Sequence, residues 1–145
     1  EFRRVLFRSE QGLLVEPGSF VLDIQQAAPY FRKQGALGFI NSFVNNALPG
    51  MKHPITGVLD VLELIYQTHP KTKSGLSLAV SHDTIIAAIV AVISGNNQIQ
   101  KADWPAMMEG LFVWFEGDEF PNCKLKWIWR GKTYESDVSE FHKVQ

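Results

Sequence analysis

A single cysteine, Cys123, stands in the 145 residues of this chain. One thiol can form neither an intrachain disulfide nor a multi-cysteine zinc site, and Cys123 is expected to be a small buried hydrophobe in a strand. Long hydrophobic runs are lacking too. The longest uninterrupted run, Ile85 to Ile93, has nine residues, whereas a membrane-spanning helix needs roughly 20. Extending that run back to Leu76 would carry His82 and Asp83 into hydrocarbon, so a buried core helix is expected and no membrane span. Metal-ligand spacing is also lacking. His53, His69, His82 and His142 lie far apart, no H-x-x-x-H pair occurs, and no Asp/Glu cluster accompanies them, so no metal and no other cofactor is expected. His53, His69 and His142 read as solvent-exposed loop or tail residues.

Basic charge is scarce once the first nine residues are set aside. The formal net charge is −1, but Glu1–Ser9 (EFRRVLFRS) reads like the translation of a sequencing adapter and is excluded from the fold. The alternative is a genuine basic N-terminal segment. Without its three Arg and one Glu, 11 basic and 14 acidic residues remain, a net charge of −3. No basic patch is left to suggest a nucleic-acid partner. An adapter origin implies that residues 10–145 form the C-terminal part of a longer protein, so this stretch carries no information on a signal peptide.

What is present is globular. Hydrophobic residues make up 46% and charged residues 20%, with four Trp and ten Phe, enough for the core of one ordinary domain. Phe20–Ala28 reads as a short helix with Ser19 as N-cap, and Pro29 ends it or begins the next. Leu37, Ile40, Phe43, Val44, Ala47 and Leu48 keep a helical rhythm that Pro49–Gly50 stops. Val58 to Ile65 predicts another helix, with Thr56 as cap and an end before Pro70. Lys71–Gly75 is a polar turn. Leu111–Glu116 and Lys124–Arg130 read as strands joined by turn chemistry at Gly117–Asn122, an antiparallel hairpin. The residues after Gly131 suggest no clear element.

The most informative stretch is Leu76–Gly95 (LSLAVSHDTIIAAIVAVISG). Leu76–Val80 has the length of a buried strand. Ser81, His82 and Asp83 follow, and the apolar run from Thr84 stops at Ser94–Gly95, a helix terminus. Strand, polar junction and helix place His82 and Asp83 at a strand's carboxyl end and a helix's amino end. Ligands of open α/β sheets bind there, and free helix N–H groups favour an anion. His82 would donate to an oxyanion, and Asp83 could protonate a leaving oxygen. The competing explanation is structural: capping by Asp83 or Thr84 beside a hydrogen-bonded histidine. A Ser81–His82–Asp83 hydrolase triad is excluded, because neighbours on an extended chain point to opposite faces. The G-x-S-x-G elbow is also lacking.

SHDTIIAAIVAVISG, then DWPAMMEGLFVWFEG, then a strand ending in WRGK, resembles the C-terminal half of the histidine acid phosphatases, the His-Asp branch of the histidine phosphatase superfamily. The similarity runs from about Leu76 to Lys132 and includes Trp104–Pro105, Glu109–Gly110 and Phe115–Glu116. It implies a three-layer α/β/α sandwich, an α/β fold seen here as its C-terminal half, with Leu76–Ser81 as a central parallel strand and the hairpin toward an edge. It implies phosphomonoester hydrolysis through a phosphohistidine, on a small-molecule phosphate monoester, with activity weighted toward acid pH. By match, His82 binds the phosphate with Thr84 and Asp83 is the proton donor. The nucleophilic R-H-G motif occurs nowhere in the chain, so these residues alone are expected to be inactive. Trp104, Met107 and Met108 are candidates for the pocket wall, with burial in the core as the alternative. Relatives suggest a periplasmic, secreted or lysosomal setting. The alternatives are a non-catalytic module that binds phosphorylated ligands or proteins, and the mutase-like branch, against which Asp83 argues.

Overall fold

The computed structural model describes residues 11–15, 19–69 and 75–143. Glu1–Ser9 and most of the Lys71–Gly75 turn lie outside these residues. The first helix, α1 (Ile24–Val44), is capped by Asp23, whose Oδ1 accepts from the N–H groups of Gln25 and Gln26. A carboxylate answers the orphan donors of a first turn better than the Ser19 expected from the sequence. Ser19 lies in the preceding turn instead and is buried. The break in α1 also differs from expectation. Pro29 is carried inside the helix, and the chain kinks at Gly35 (φ 67°, ψ 177°), a conformation essentially confined to glycine. Proline costs one helical hydrogen bond, whereas Gly35 takes the backbone out of the helical region altogether.

Residues 19–23 are held against residues 50–52. Gly50 O accepts from the Leu22 and Asp23 N–H groups, and the Lys52 N–H donates to Phe20 O. Gly50 has φ 72°, and a Cβ there would stand 2.6 Å from Asp23 O, so this close backbone approach requires glycine. Helix α2 (Pro54–Thr68) follows, with Pro54 in its first turn and His53 as N-cap. It starts two residues before Thr56, because proline is pre-shaped for a first helical position. Its end matches the sequence: His69, before Pro70, is extended (φ −66°, ψ 149°).

Helix α3 (Asp83–Ser94) ends where the sequence predicts, closed by Gly95 in the left-handed region (φ 70°), but its N-cap is His82 rather than Asp83 or Thr84. Buried residues occur on every side of it, from Thr84 and Ile85 to Ala91 and Ile93. A helix apolar all round must be central, and α3 packs against both α1 and α2. Asn41 of α1 fastens the following loop, donating to Ile99 O (2.9 Å) and accepting from the Ile99 N–H (2.7 Å).

The strands β1 (Phe112–Gly117), β2 (Cys123–Trp129) and β3 (Lys132–Asp137) form an antiparallel sheet in the order β1-β2-β3. The β1–β2 hairpin was expected; β3 was not, because KTYESD carries no apolar alternation. Its signal is the turn: Arg130 (φ 50°) and Gly131 (φ 74°) make the two-residue, positive-φ connection that suits hairpins. On β2, Cys123, Leu125, Trp127 and Trp129 face inward and are buried. Outward, Lys126 pairs with Glu116 and Lys124 with Glu135, each at 2.7 Å. Burial raises the Cys123 thiol above its usual pKa. Tyr66 of α2 meets Phe115 edge-on (5.3 Å between ring centres), joining helices to sheet. The short α4 (Val138–His142) packs on β2.

The architecture is thus mixed: helices packed with a small antiparallel sheet. Leu76–Val80 departs from expectation. It carries no regular secondary structure, and Leu76, Leu78 and Val80 are 84%, 88% and 82% exposed. A strand exists only through a partner's backbone hydrogen bonds, and no described strand pairs with this segment, whose Ser77 Oγ donates to Thr68 O (3.0 Å). No helix among the described residues is long and apolar enough to cross a membrane.

Candidate functional site at the amino end of α3

The first turn of α3 separates the three residues that the sequence grouped. His82 is the N-cap in extended backbone (φ −106°, ψ 155°); its side chain makes no capping hydrogen bond and is exposed. Asp83, the first helical residue, is also exposed. Its Oδ1 accepts from the Thr84 N–H at 2.8 Å, and its Oδ2 accepts from the indole Nε1–H of Trp104 at 2.9 Å. A carboxylate is well placed there, next to the positive end of the helix dipole. The Thr84 side chain turns inward: it is 5% exposed, and its Oγ1 has no hydrogen-bond partner. His82 and Asp83 therefore share the open surface, while Thr84 belongs to the wall beneath.

Of the four N–H groups that the start of α3 leaves without a helical partner, His82 to Ile85, two are engaged: that of Thr84 by Asp83 Oδ1 and that of Ile85 by His82 O. The open donor set at this terminus is smaller than a bare helix end would offer. Ser81 is likewise committed, donating from Oγ to Leu14 O at 2.8 Å. It anchors residues 11–15 and is not poised as a nucleophile.

Trp104 reaches Asp83 because its loop is clamped from behind. A single turn of 3-10 helix, Lys101–Asp103, delivers the chain to Trp104. Arg130, in the β2–β3 turn, donates to Ala102 O (2.6 Å) and Trp104 O (3.0 Å), and grips both carboxylate oxygens of Glu109 (2.8 and 3.1 Å). Glu109 Oε2 also accepts from the Ala106 N–H (2.8 Å). Fork-to-fork pairing of this kind fixes geometry as well as charge. The Arg130 hydrogen bond, followed by that from Ala106, holds the Glu109 carboxyl below the usual glutamate range, and Glu109 raises Arg130 in turn. The sequence named these two residues only as parts of similar segments. Standing 21 positions apart, they show no spacing that announces a clamp.

The other candidates are scattered. Met107 and Met108, beside Trp104, are each 96% exposed, so they are not core residues. His53 and His69 are half-buried rather than exposed. His53 heads α2, and His69 packs against the ring of Tyr66, whose carbonyl oxygen its Nδ1 approaches. The side chain of His142 lies outside the described residues. No group of three or more His, Cys, Asp or Glu that could hold a metal ion occurs among the described residues.

Comparison with protein-family models, with curated proteins and with solved structures returned no significant match for this chain.

Proposed function

We propose that this chain supplies half of a phosphomonoesterase site of the histidine acid phosphatase kind, with His82 as phosphate ligand and Asp83 as proton donor. The observation that carries this reading is the hydrogen bond from Trp104 to Asp83. It ties the His-Asp segment to the Trp-Pro segment, the two stretches on which the sequence resemblance rests, and leaves the His82 side chain open beside them. Hydrolysis would require a nucleophilic histidine and an arginine clamp from outside these 145 residues, since R-H-G does not occur in them. The exposed Leu76–Val80 segment supports the same idea. It has the composition of a buried parallel strand, and a partner strand would turn it into the centre of a three-layer sandwich.

The chemistry then divides as follows. The incoming phosphoryl group is held by His82 and by whatever donor remains at the amino end of α3. As phosphorus bonds to the nitrogen of the external nucleophilic histidine and its ester bond breaks, the proton on Asp83 passes to the leaving alcohol oxygen. For that step one oxygen of the Asp83 carboxyl must carry the proton. The test is the pH dependence of 4-nitrophenyl phosphate hydrolysis by the full-length protein. Activity should be greatest at acid pH, and a flat profile from acid to alkaline would overturn the assignment of Asp83.

A second reading is favoured by one observation. Both oxygens of Asp83 already accept hydrogen bonds from N–H donors, which suits a fixed acceptor better than an acid. A non-catalytic module that binds phosphorylated ligands needs donors such as His82 and no proton from Asp83. Binding of a phosphate monoester without phosphate release by the full-length protein would select it.

A further inference from the structure

Past Trp104 the chain makes a tight turn, Ala106 to Glu109, that is closed twice. The Glu109 N–H donates to Ala106 O (3.0 Å), and the Ala106 N–H donates back to Glu109 Oε2 (2.8 Å). Arg130 holds this turn from behind through Glu109 Oε1 and Trp104 O, so its tip is presented by a fixed frame. Met107 and Met108 form the tip, and each is 96% exposed. Met108 has φ 63°. A turn with positive φ at its third residue favours glycine or asparagine, and a longer side chain there is strained. Neither methionine buries apolar surface that would offset the strain. Backbone strain held without a packing return points to function rather than stability.

We propose that the Met107–Met108 turn forms the leaving-group side of the site, and that the substrates are phosphate monoesters of apolar alcohols. This inference rests on the phosphatase reading and names its substrate class. A proton donor must stand within hydrogen-bond reach of the leaving oxygen. With Asp83 in that role the alcohol lies beside it, and the loop bonded to Asp83 is that of Trp104. Met107 follows Trp104 by three residues, so their Cα atoms stand within about 11 Å of each other. An alcohol that extends from Asp83 past Trp104 meets two thioether side chains. Methionine is flexible and polarizable, and it adapts to apolar bodies of differing outline. A polyol would give up water there and gain only weak thioether acceptors in return.

The test compares n-hexyl phosphate with methyl phosphate as substrates of the full-length protein. Both esters release a primary alcohol, so the demand for a proton is alike and only the apolar body differs. Five additional methylenes, even partly buried, should raise kcat/KM at least about tenfold. Met107→Gln combined with Met108→Gln should cut that preference to about threefold or less, because the amides keep the length and lose the apolarity. Met108→Gly supplies the residue that the turn favours. It should melt about 2–4 °C higher than the wild type and still lose most of the preference. Turnover of 4-nitrophenyl phosphate without any preference for the hexyl ester would overturn the inference and leave the phosphatase reading standing. So would a hexyl preference that both variants retain in full. No phosphate release from any of the three esters would overturn that reading, and the inference with it.

Discussion

The indole of Trp104 donates a hydrogen bond to the Oδ2 of Asp83 across 2.9 Å, although 21 residues separate them. Behind it, Arg130 holds the Trp104 carbonyl at 3.0 Å and the Glu109 carboxylate with two contacts. The β2–β3 turn, the Trp104 loop and the head of α3 are thus linked in series, and Asp83 is oriented from a distance.

Trp104→Phe keeps the ring and deletes the donor. It should lower stability by about 1 kcal/mol, less than a buried bond to a charged acceptor because this one is exposed to solvent. Amide exchange should accelerate in residues 102–109 while Val61 and Leu62, fully buried in α2, stay protected. Unchanged protection of the loop would show that the bond does not tether it.

The Arg130–Glu109 pair makes that loop sensitive to acid. The Glu109 carboxyl is held below its usual range by Arg130 and by the Ala106 N–H. Its contribution is therefore complete above the unfolded-state value of about 4.3 and is lost as pH falls through the lower, folded value. Stability against urea should drop on acidification in that window. Glu109→Gln should flatten part of the drop and cost about 0.5–1 kcal/mol at neutral pH, since the pair is only partly shielded. An identical acid profile in Glu109→Gln would remove Glu109 from the account.

Gly50 and Gly95 separate two kinds of glycine requirement. Both have positive φ, near 70°, but a Cβ on Gly95 meets nothing within 4 Å while one on Gly50 meets Asp23 O at 2.6 Å. Gly95→Ala should cost about 1–2 kcal/mol, the penalty of a left-handed non-glycine residue. Gly50→Ala should cost clearly more, because the residue 19–23 connection must also move. Equal losses in urea denaturation would show that the connection yields easily.

Leu76, Leu78 and Val80 bury almost nothing. Replacing all three with Lys should leave the melting temperature of the chain within about 2 °C, as expected for surface changes. The same change should raise its soluble yield, since an apolar unpaired segment invites association. A large fall in melting temperature would show that these side chains pack in solution.

Local signals were legible where one residue's chemistry decides the outcome. The end of α3 follows from Gly95, and the end of α2 follows from Pro70. They failed where a distant partner decides. Leu76–Val80 has strand composition, yet strand structure belongs to pairs, and no described residue supplies the second member. β3 shows the converse: its polar residues are ordered by β2 and by the Arg130–Gly131 turn. At the site, His82 and Asp83 were singled out from a strand-to-helix pattern of which the structure forms only the helix. The inward turn of Thr84 and the Arg130 clamp were not, because each depends on packing between segments far apart in the chain. The Pro29 expectation gave way to Gly35, where the helix is interrupted by φ rather than by a lost N–H.

The most direct measurement is phosphate release from 4-nitrophenyl phosphate by the full-length protein, comparing wild type with His82→Ala and Asp83→Ala. Each substitution should reduce the rate at least about 100-fold, the lower range for loss of a general acid or a preorganised phosphate ligand, while both variants keep the wild-type melting temperature within about 3 °C. Unchanged rates in both variants would contradict the assignment of this junction as a phosphatase site.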